Sequence, residues 1–193
     1  ISTGPVYITD PNEAGTVAGG GVFFRTESLD PRTRKGRVGV KVQVANDTDK
    51  EQKVRVQALM TDPKGVDPVG ETAPLVIPPH STGEVDIPLV ISNVKPWSPD
   101  DPNLYTLSVE VWNAAGGNNA KNPAHLLDNR SMRVGVRTVE ITEKGLVLNG
   151  SLFPEKLIGG NRHQDFARLG NAVPNNLQWQ DAVKLRKAGM RVI

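Results

Sequence analysis

Residues 37–46 read RVGVKVQVAN, a stretch in which every second side chain is apolar. Successive side chains of an extended chain point to opposite faces, so this alternation places four valines on one face: Val38, Val40, Val42 and Val44. β-Branched side chains favour strands, and a face built from them must be buried. Turn residues 47–50 follow, and a second alternating run covers residues 54–60. The two runs together predict a β-hairpin.

Similar short runs continue outward from this stretch in both directions. They are separated by loops rich in Pro, Gly, Asp and Asn, and they predict strands over residues 5–9, 22–27, 75–77, 83–91, 105–112 and 132–141. Seven or eight short strands before residue 143 are typical of an immunoglobulin-like or fibronectin-like β-sandwich. The chain has no cysteine, so the disulfide of antibody domains is excluded.

The pattern changes near Gly145. An Asn149-Gly150 pair between apolar residues predicts a further hairpin. Residues 156–160 are apolar enough for a short buried strand, and the polar run at residues 161–165 marks its end.

A helix and another strand are predicted after this polar run. Asn175 or Asn176 is the expected helix cap, apolar residues recur near helical spacing, and Gly189 is expected to end the helix. The last residues, 190–193, begin a second strand. A strand–helix–strand unit builds parallel α/β folds and cannot bury its own apolar faces, so we expect the natural protein to continue past Ile193.

Composition excludes several classes of function. The chain of 193 residues carries 23 Lys and Arg against 21 Asp and Glu, a balance that predicts neither a nucleic-acid nor a membrane partner. Thiolate metal sites are excluded without cysteine, and His80 and His125 lack ligand-like spacing to each other or to His163. We therefore expect no metal and no cofactor. The compartment, whether cytoplasm, periplasm or medium, stays open, and so does assembly into a homo-oligomer.

Four stretches carry more specific information: PWSPDDPNLY at residues 96–105, RVGVRTVEI at 133–141, LNG at 148–150 and GNRHQD at 160–165. In the first, three prolines restrict the backbone and large apolar side chains can pin the loop to the sandwich. In this order, the four stretches resemble family 2 of the glycoside hydrolases, the family of β-galactosidases, β-glucuronidases and β-mannosidases.

This resemblance implies a domain organisation and an activity. Residues 1–142 would form an immunoglobulin-like β-sandwich, and residues 143–193 the N-terminal fragment of a TIM-barrel catalytic domain. The full-length protein would be a retaining glycosidase of carbohydrate metabolism that cleaves terminal β-D-galactosides. Its partners would be the carbohydrate substrate, and, in the same chain, a jelly-roll domain before Ile1 and the rest of the barrel after Ile193.

The resemblance also implies where substrate binds. Asn161, Arg162, His163 and Asp165 follow the first expected barrel strand, and active sites of such barrels lie at the carboxyl ends of their strands. These four residues are the candidate substrate-binding residues. The two catalytic glutamates of the family lie on later barrel strands, so the chain alone is expected to hold no catalytic residue and to be inactive.

Two kinds of alternative remain open. Within the family, the enzyme could be a β-glucuronidase or a β-mannosidase. From another class, the chain could be a non-catalytic immunoglobulin-like module for carbohydrate binding or adhesion, with an exposed aromatic platform. We expect Trp97 and Trp112 to be largely buried, which disfavours the module. We also expect residues 143–193 to be less protected from exchange than the sandwich.

Overall fold

The computed structural model describes residues 4–11, 20–114, 118–119, 122–123 and 125–193. The chain divides into two compact units, Ile1–Ser151 and Leu152–Ile193. The described elements, in chain order, are β1 Val6–Ile8, β2 Val22–Leu29, β3 Gly36–Asn46, β4 Gln52–Thr61, β5 Val69–Ile77, β6 Ser81–Ile91, β7 Tyr105–Asn113, β8 Asn118–Asn119, β9 Asn122–Pro123, β10 Leu126–Val134, β11 Val139–Thr142, β12 Gly145–Leu148, β13 Ser151–Leu152 and α1 Asn175–Lys187. The predicted mainly-β class is confirmed.

The first sheet is organised around β3. Strand β6 pairs with one edge of β3, and both β1 and β2 pair with the other, all antiparallel. The pairs Ile8↔Val44 and Val22↔Val42 are successive on the same face of β3. Between them Gln43 continues the ladder, since its carbonyl accepts from the Thr9 amide and its own amide donates to the carbonyl of Gly21. Strands β1 and β2 are therefore two halves of one interrupted edge strand.

The second sheet has the antiparallel order β10-β7-β4-β5. Strand β5 begins at Val69, six residues before the predicted start at residue 75. The sequence hides this length because Pro74 interrupts the alternation. Proline is tolerated here because β5 is an edge strand, where a missing amide costs no ladder bond.

The two sheets share one core. The four valines of β3 are completely buried, together with side chains from the second sheet that include Val56, Leu107 and Val109. Burying a side chain of this size stabilises the folded chain by about 1.5–3 kcal/mol. The stretch at residues 37–46 thus forms the central strand that its alternation predicts.

The predicted hairpin between residues 37–46 and 54–60 is wrong. Strands β3 and β4 belong to different sheets, so the chain crosses the sandwich between them. The physical cause is Asn46, which is fully buried. Its Nδ2 donates to the carbonyls of Lys50 at 2.8 Å, Ile77 at 3.1 Å and Pro78 at 2.9 Å. These bonds tie the turn to the β5–β6 connection instead of to a partner strand.

The predicted strand over residues 132–141 is broken in two. Strand β10 ends at Val134 and β11 begins at Val139. Between them, the carbonyl of Val136 accepts from the Trp97 amide at 2.9 Å, so this segment pairs with a loop rather than with β7. Strands β11, β12 and β13 form a separate small sheet. The predicted Asn149-Gly150 turn is confirmed, since both residues have positive φ, 52° and 79°.

The second unit contains α1 and little regular strand. The predicted asparagine cap is wrong: Pro174 is the N-cap and no side chain caps the helix. Gly189 ends the helix as predicted, with a φ of 89°. The predicted buried strand at 156–160 is reduced to one parallel bridge between Gly159 and Val192, and its apolar side chains are exposed because nothing described packs over them.

No helix in the described part of the chain combines the length and the apolar character needed to cross a membrane.

Candidate functional site

The candidate segment 161–165 begins directly after a parallel backbone pairing. The Arg191 amide donates to the carbonyl of Ile158 at 2.7 Å, and the Gly160 amide donates to the carbonyl of Val192 at 3.3 Å. A Cβ atom at Gly159 would lie 2.8 Å from the Val192 carbonyl oxygen, so glycine permits this close approach. The pairing fixes the position from which the polar segment leaves.

Arg162 braces this segment against α1. Its Nε and Nη2 donate to Oδ2 of Asp181 at 3.1 and 2.6 Å, and its Nη1 donates to Oε1 of Gln178 at 2.5 Å. The side chains of Arg162 and Asp181 are 19% and 28% exposed, so this ion pair is partly shielded from solvent. The guanidinium group of Arg162 is therefore engaged with the helix and acts as a brace.

The other three candidates are presented to solvent. Asn161, His163 and Asp165 are exposed, and their side chains form no hydrogen bond or ion pair with the described residues. An amide, an imidazole and a carboxylate together offer both donors and acceptors, as a hydroxyl-rich ligand requires. The structure thus separates the predicted set into one brace and three accessible polar groups.

Sequence reasoning missed the two helix residues that hold Arg162. Gln178 and Asp181 lie three residues apart on α1, a spacing that places both side chains on the same helix face. This spacing was readable in the sequence, but nothing in it indicated that Arg162 would be the partner.

A second polar feature lies in the sandwich and was also missed. A cavity of about 110 Å³ is lined by Arg34, Met60, Asp62, Asp67, Val69, Ile91, Ser92, Asn93, Lys95 and Tyr105. At its wall, Lys95 Nζ lies 2.6 Å from Oδ2 of Asp62, whose side chain is only 9% exposed. The hydrogen bond from Lys95, helped by the amide of Val66, lowers the pKa of Asp62 from 3.8 to about 2. The same bond raises the pKa of Lys95.

This ion pair supports the fold more than it prepares a binding site. The second oxygen of Asp62 already accepts from the amides of Lys64 and Val66 at 3.1 and 2.7 Å. Both oxygens of the carboxylate are therefore engaged, one by its own loop and the other by Lys95. Among the residues that the structure describes, no group of three or more acidic or histidine side chains is placed to hold a metal ion.

The family model described as glycosyl hydrolases family 2 matches residues 20–137. The chain therefore belongs to family 2 of the glycosyl hydrolases.

Individual relatives agree with this assignment. A β-galactosidase of Thermoanaerobacter pseudethanolicus is 40% identical over 93 residues, which are 48% of this chain and 11% of the relative. A family 2 glycosyl hydrolase of Bacteroides cellulosilyticus superposes with a TM-score of 0.79 at 22% identity, covering 97% of this chain and 23% of that one. A β-glucuronidase of Bacteroides uniformis gives 0.76 at 18% identity, over 97% and 21%. The structural matches establish the fold, and the chain spans about a tenth of the first relative.

Proposed function

We propose that this chain is part of a longer retaining glycosidase that cleaves terminal β-D-galactosides. In this proposal residues 1–142 are the immunoglobulin-like spacer, and residues 143–193 begin a TIM barrel and supply one corner of its sugar pocket. The observation that carries the proposal is the family match over residues 20–137.

The geometry of the second unit supports the barrel assignment. Helix α1 lies between two segments that pair in parallel at Gly159 and Val192, which is the βαβ connection that barrels repeat. No residue of 152–193 is buried, although the segment carries many large apolar side chains. Such exposure is typical of a piece whose apolar faces are covered in a larger domain.

In the proposed pocket the four candidate residues have two different roles. Arg162 holds the segment on α1 through Asp181 and Gln178. His163, Asp165 and Asn161 then face the substrate and exchange hydrogen bonds with sugar hydroxyl groups. The bond cleavage itself needs two carboxyl groups about 5–5.5 Å apart, one as nucleophile and one as acid and base. Both carboxyl groups belong to later barrel strands, so this chain alone is inactive.

The galactoside is favoured by the relative named a β-galactosidase, since it is 40% identical over nearly half of the chain. A β-glucuronidase is the second candidate, favoured by the similar sandwich of the Bacteroides uniformis enzyme of that name. The two candidate enzymes differ in their substrates, because the pocket of a β-glucuronidase must accommodate the carboxylate of the sugar and that of a β-galactosidase need not. A substrate panel distinguishes them.

The binding-module alternative requires free aromatic faces on the sandwich. Trp97 and Trp112 are each partly exposed, rather than largely buried as expected. The guanidinium carbon of Arg137 lies 4.6 Å from the Trp97 ring centroid and covers the indole. Trp112 donates from Nε1 to Oε2 of Glu110 at 2.9 Å. These contacts count against an aromatic sugar platform.

The test compares nitrophenyl β-galactoside, β-glucuronide and β-mannoside as substrates of the full-length gene product and of this chain alone. We expect hydrolysis of the galactoside by the full-length protein only. Turnover of the glucuronide instead would replace the galactoside proposal, and cleavage of none of the three would overturn the enzyme proposal.

The site residues are tested with matched histidine variants of the full-length protein. His163→Ala removes a proposed sugar contact and is expected to lower kcat/KM at least tenfold. His125→Ala changes an exposed histidine of the sandwich and is expected to leave kcat/KM unchanged. Equal effects of the two substitutions would remove His163 from the pocket.

A further inference from the structure

The segment through which the chain leaves the sandwich is packed against the core although it is not a strand. Residues 135–138 lie between β10 and β11 and belong to no strand. Yet Val136 within this segment is completely buried in the sandwich core. Because Val136 anchors residues 135–138 in the core, the direction in which these residues run is fixed.

The loop at residues 96–103 is one partner that holds this segment, and the hydroxyl of Thr26 in β2, which accepts from the Arg137 amide at 3.3 Å, is another. The Trp97 amide donates to the carbonyl of Val136 at 2.9 Å. The loop is itself fixed at its start, where the Lys95 amide donates to the hydroxyl oxygen of Tyr105 at 2.9 Å. Tyr105 is only 3% exposed, so both sides of the contact are anchored in the core.

The indole of Trp97 covers residues 135–138, which we call the exit segment. A Cβ atom placed on Gly135 would lie 2.9 Å from Cβ and Cγ of Trp97, a distance that real side chains do not reach. Two residues on, the Arg137 guanidinium stacks on the same ring at 4.6 Å. Glycine at position 135 lets the indole approach the backbone, and Arg137 adds a cation–π attraction.

Asn149 extends these contacts to the hairpin that follows. Its Nδ2 donates to the carbonyl of Trp97 at 3.0 Å, and its Oδ1 accepts from the Thr138 amide at 3.1 Å. Its own amide donates to the carbonyl of Thr138 at 2.9 Å. One side chain in the turn after β12 therefore joins the loop, the exit segment and the hairpin.

We propose that Trp97, Gly135, Arg137 and Asn149 form an exit clamp that fixes the direction in which the chain leaves the sandwich. The four are positioning residues. Through them the β11–β12 hairpin behaves as a rigid extension of the sandwich and not as a flexible tether. This inference is independent of the glycosidase proposal, because it concerns contacts within this chain alone.

Amide hydrogen exchange of this chain tests the clamp. Trp97→Ala and Asn149→Ala are each expected to speed exchange at residues 138–148 about tenfold, because each removes a hydrogen bond or ring contact. Exchange in β3 is expected to stay unchanged. Gly135→Ala displaces the indole and is expected to speed exchange at residues 138–148 as well. Gly4→Ala is the control, since a Cβ atom there meets nothing within 4 Å, and it is expected to leave this exchange unchanged.

A spectroscopic comparison separates positioning from general stability. Trp112→Phe with Trp179→Phe leaves Trp97 as the single tryptophan of the chain. In that background, Arg137→Ala is expected to shift the fluorescence emission of Trp97 to longer wavelength and to speed amide exchange at residues 138–148. Arg137→Lys keeps the positive charge and is expected to bring both the emission wavelength and the exchange rate most of the way back to the parent values. Unchanged exchange at 138–148 in every variant, or an equal increase in β3, would overturn the clamp.

Discussion

Removing the amide of Asn46 tests why the chain crosses between the two sheets at the end of β3. The side chain of Asn46 is fully buried and takes part in five hydrogen bonds. Three are donated to the carbonyls of Lys50, Ile77 and Pro78, and two are accepted from the amide and hydroxyl of Thr48 at 3.0 and 2.7 Å. Since an amide nitrogen has two hydrogens, about four of the five are strong bonds.

The expected cost of Asn46→Ala follows from these bonds. Each contributes roughly 1 kcal/mol net, which gives an upper value of about 4 kcal/mol. Groups near the surface of the turn regain water, whereas the buried carbonyl of Ile77 loses a donor that water does not replace. We therefore expect the free energy of unfolding to fall by about 2–4 kcal/mol and the melting temperature by roughly 5–15 °C.

Urea unfolding followed by circular dichroism measures this change. The midpoint should fall while the m-value stays constant, because the surface exposed on unfolding is the same. Asn129→Ala, which alters an exposed asparagine of β10, is the matched control and should stay within about 0.5 kcal/mol of the parent chain. An equally small effect of Asn46→Ala would refute the account of the crossover.

Three further measurements probe the ion pair, the core and the second unit. Lys95 lowers the pKa of Asp62 to about 2, so the stability that this ion pair adds is present above about pH 4 and is lost as the pH falls toward 2. Asp62→Asn should therefore flatten this part of the plot of unfolding free energy against pH, and an unchanged plot would contradict the pairing. Leu107→Ala, at a fully buried position, should cost about 2–5 kcal/mol, against under about 1 kcal/mol for exposed Leu126→Ala; equal costs would contradict the core. Amides of residues 152–193 should exchange faster than those of β3, because none of these residues is buried; equal protection would contradict this.

The sequence predicted strands better than it predicted their partners. The alternation at residues 37–46 identified β3 and its buried face, because side-chain period is a local property. It could not reveal that β3 and β4 separate, because the bonds of Asn46 reach residues 31 and 32 positions away. The break after β10 was hidden for the same reason, since Trp97 lies far from Gly135 in sequence.

The sequence placed the polar candidate segment at the end of a short apolar run, but it did not predict the arrangement of the side chains within the segment. A polar run after a short apolar segment pointed to residues 161–165, which do follow the backbone pairing at Gly159. Side-chain roles depend on which groups meet in space. Arg162 was predicted as one of four candidate substrate-binding residues, and its guanidinium group lies against Asp181 and Gln178 on α1. The contact with α1 distinguishes Arg162 from the three accessible groups, and this contact depends on the folded structure.

The stereochemistry of the product tests the central proposal most directly. When the full-length gene product cleaves a β-galactoside, proton NMR within the first minutes reports which anomer of galactose is released before mutarotation. A retaining enzyme of family 2 gives the β-anomer first. The reason is that water finally attacks the anomeric carbon from the same face of the sugar that the leaving group occupied. Initial release of the α-anomer, or no cleavage of any β-glycoside, would contradict the account.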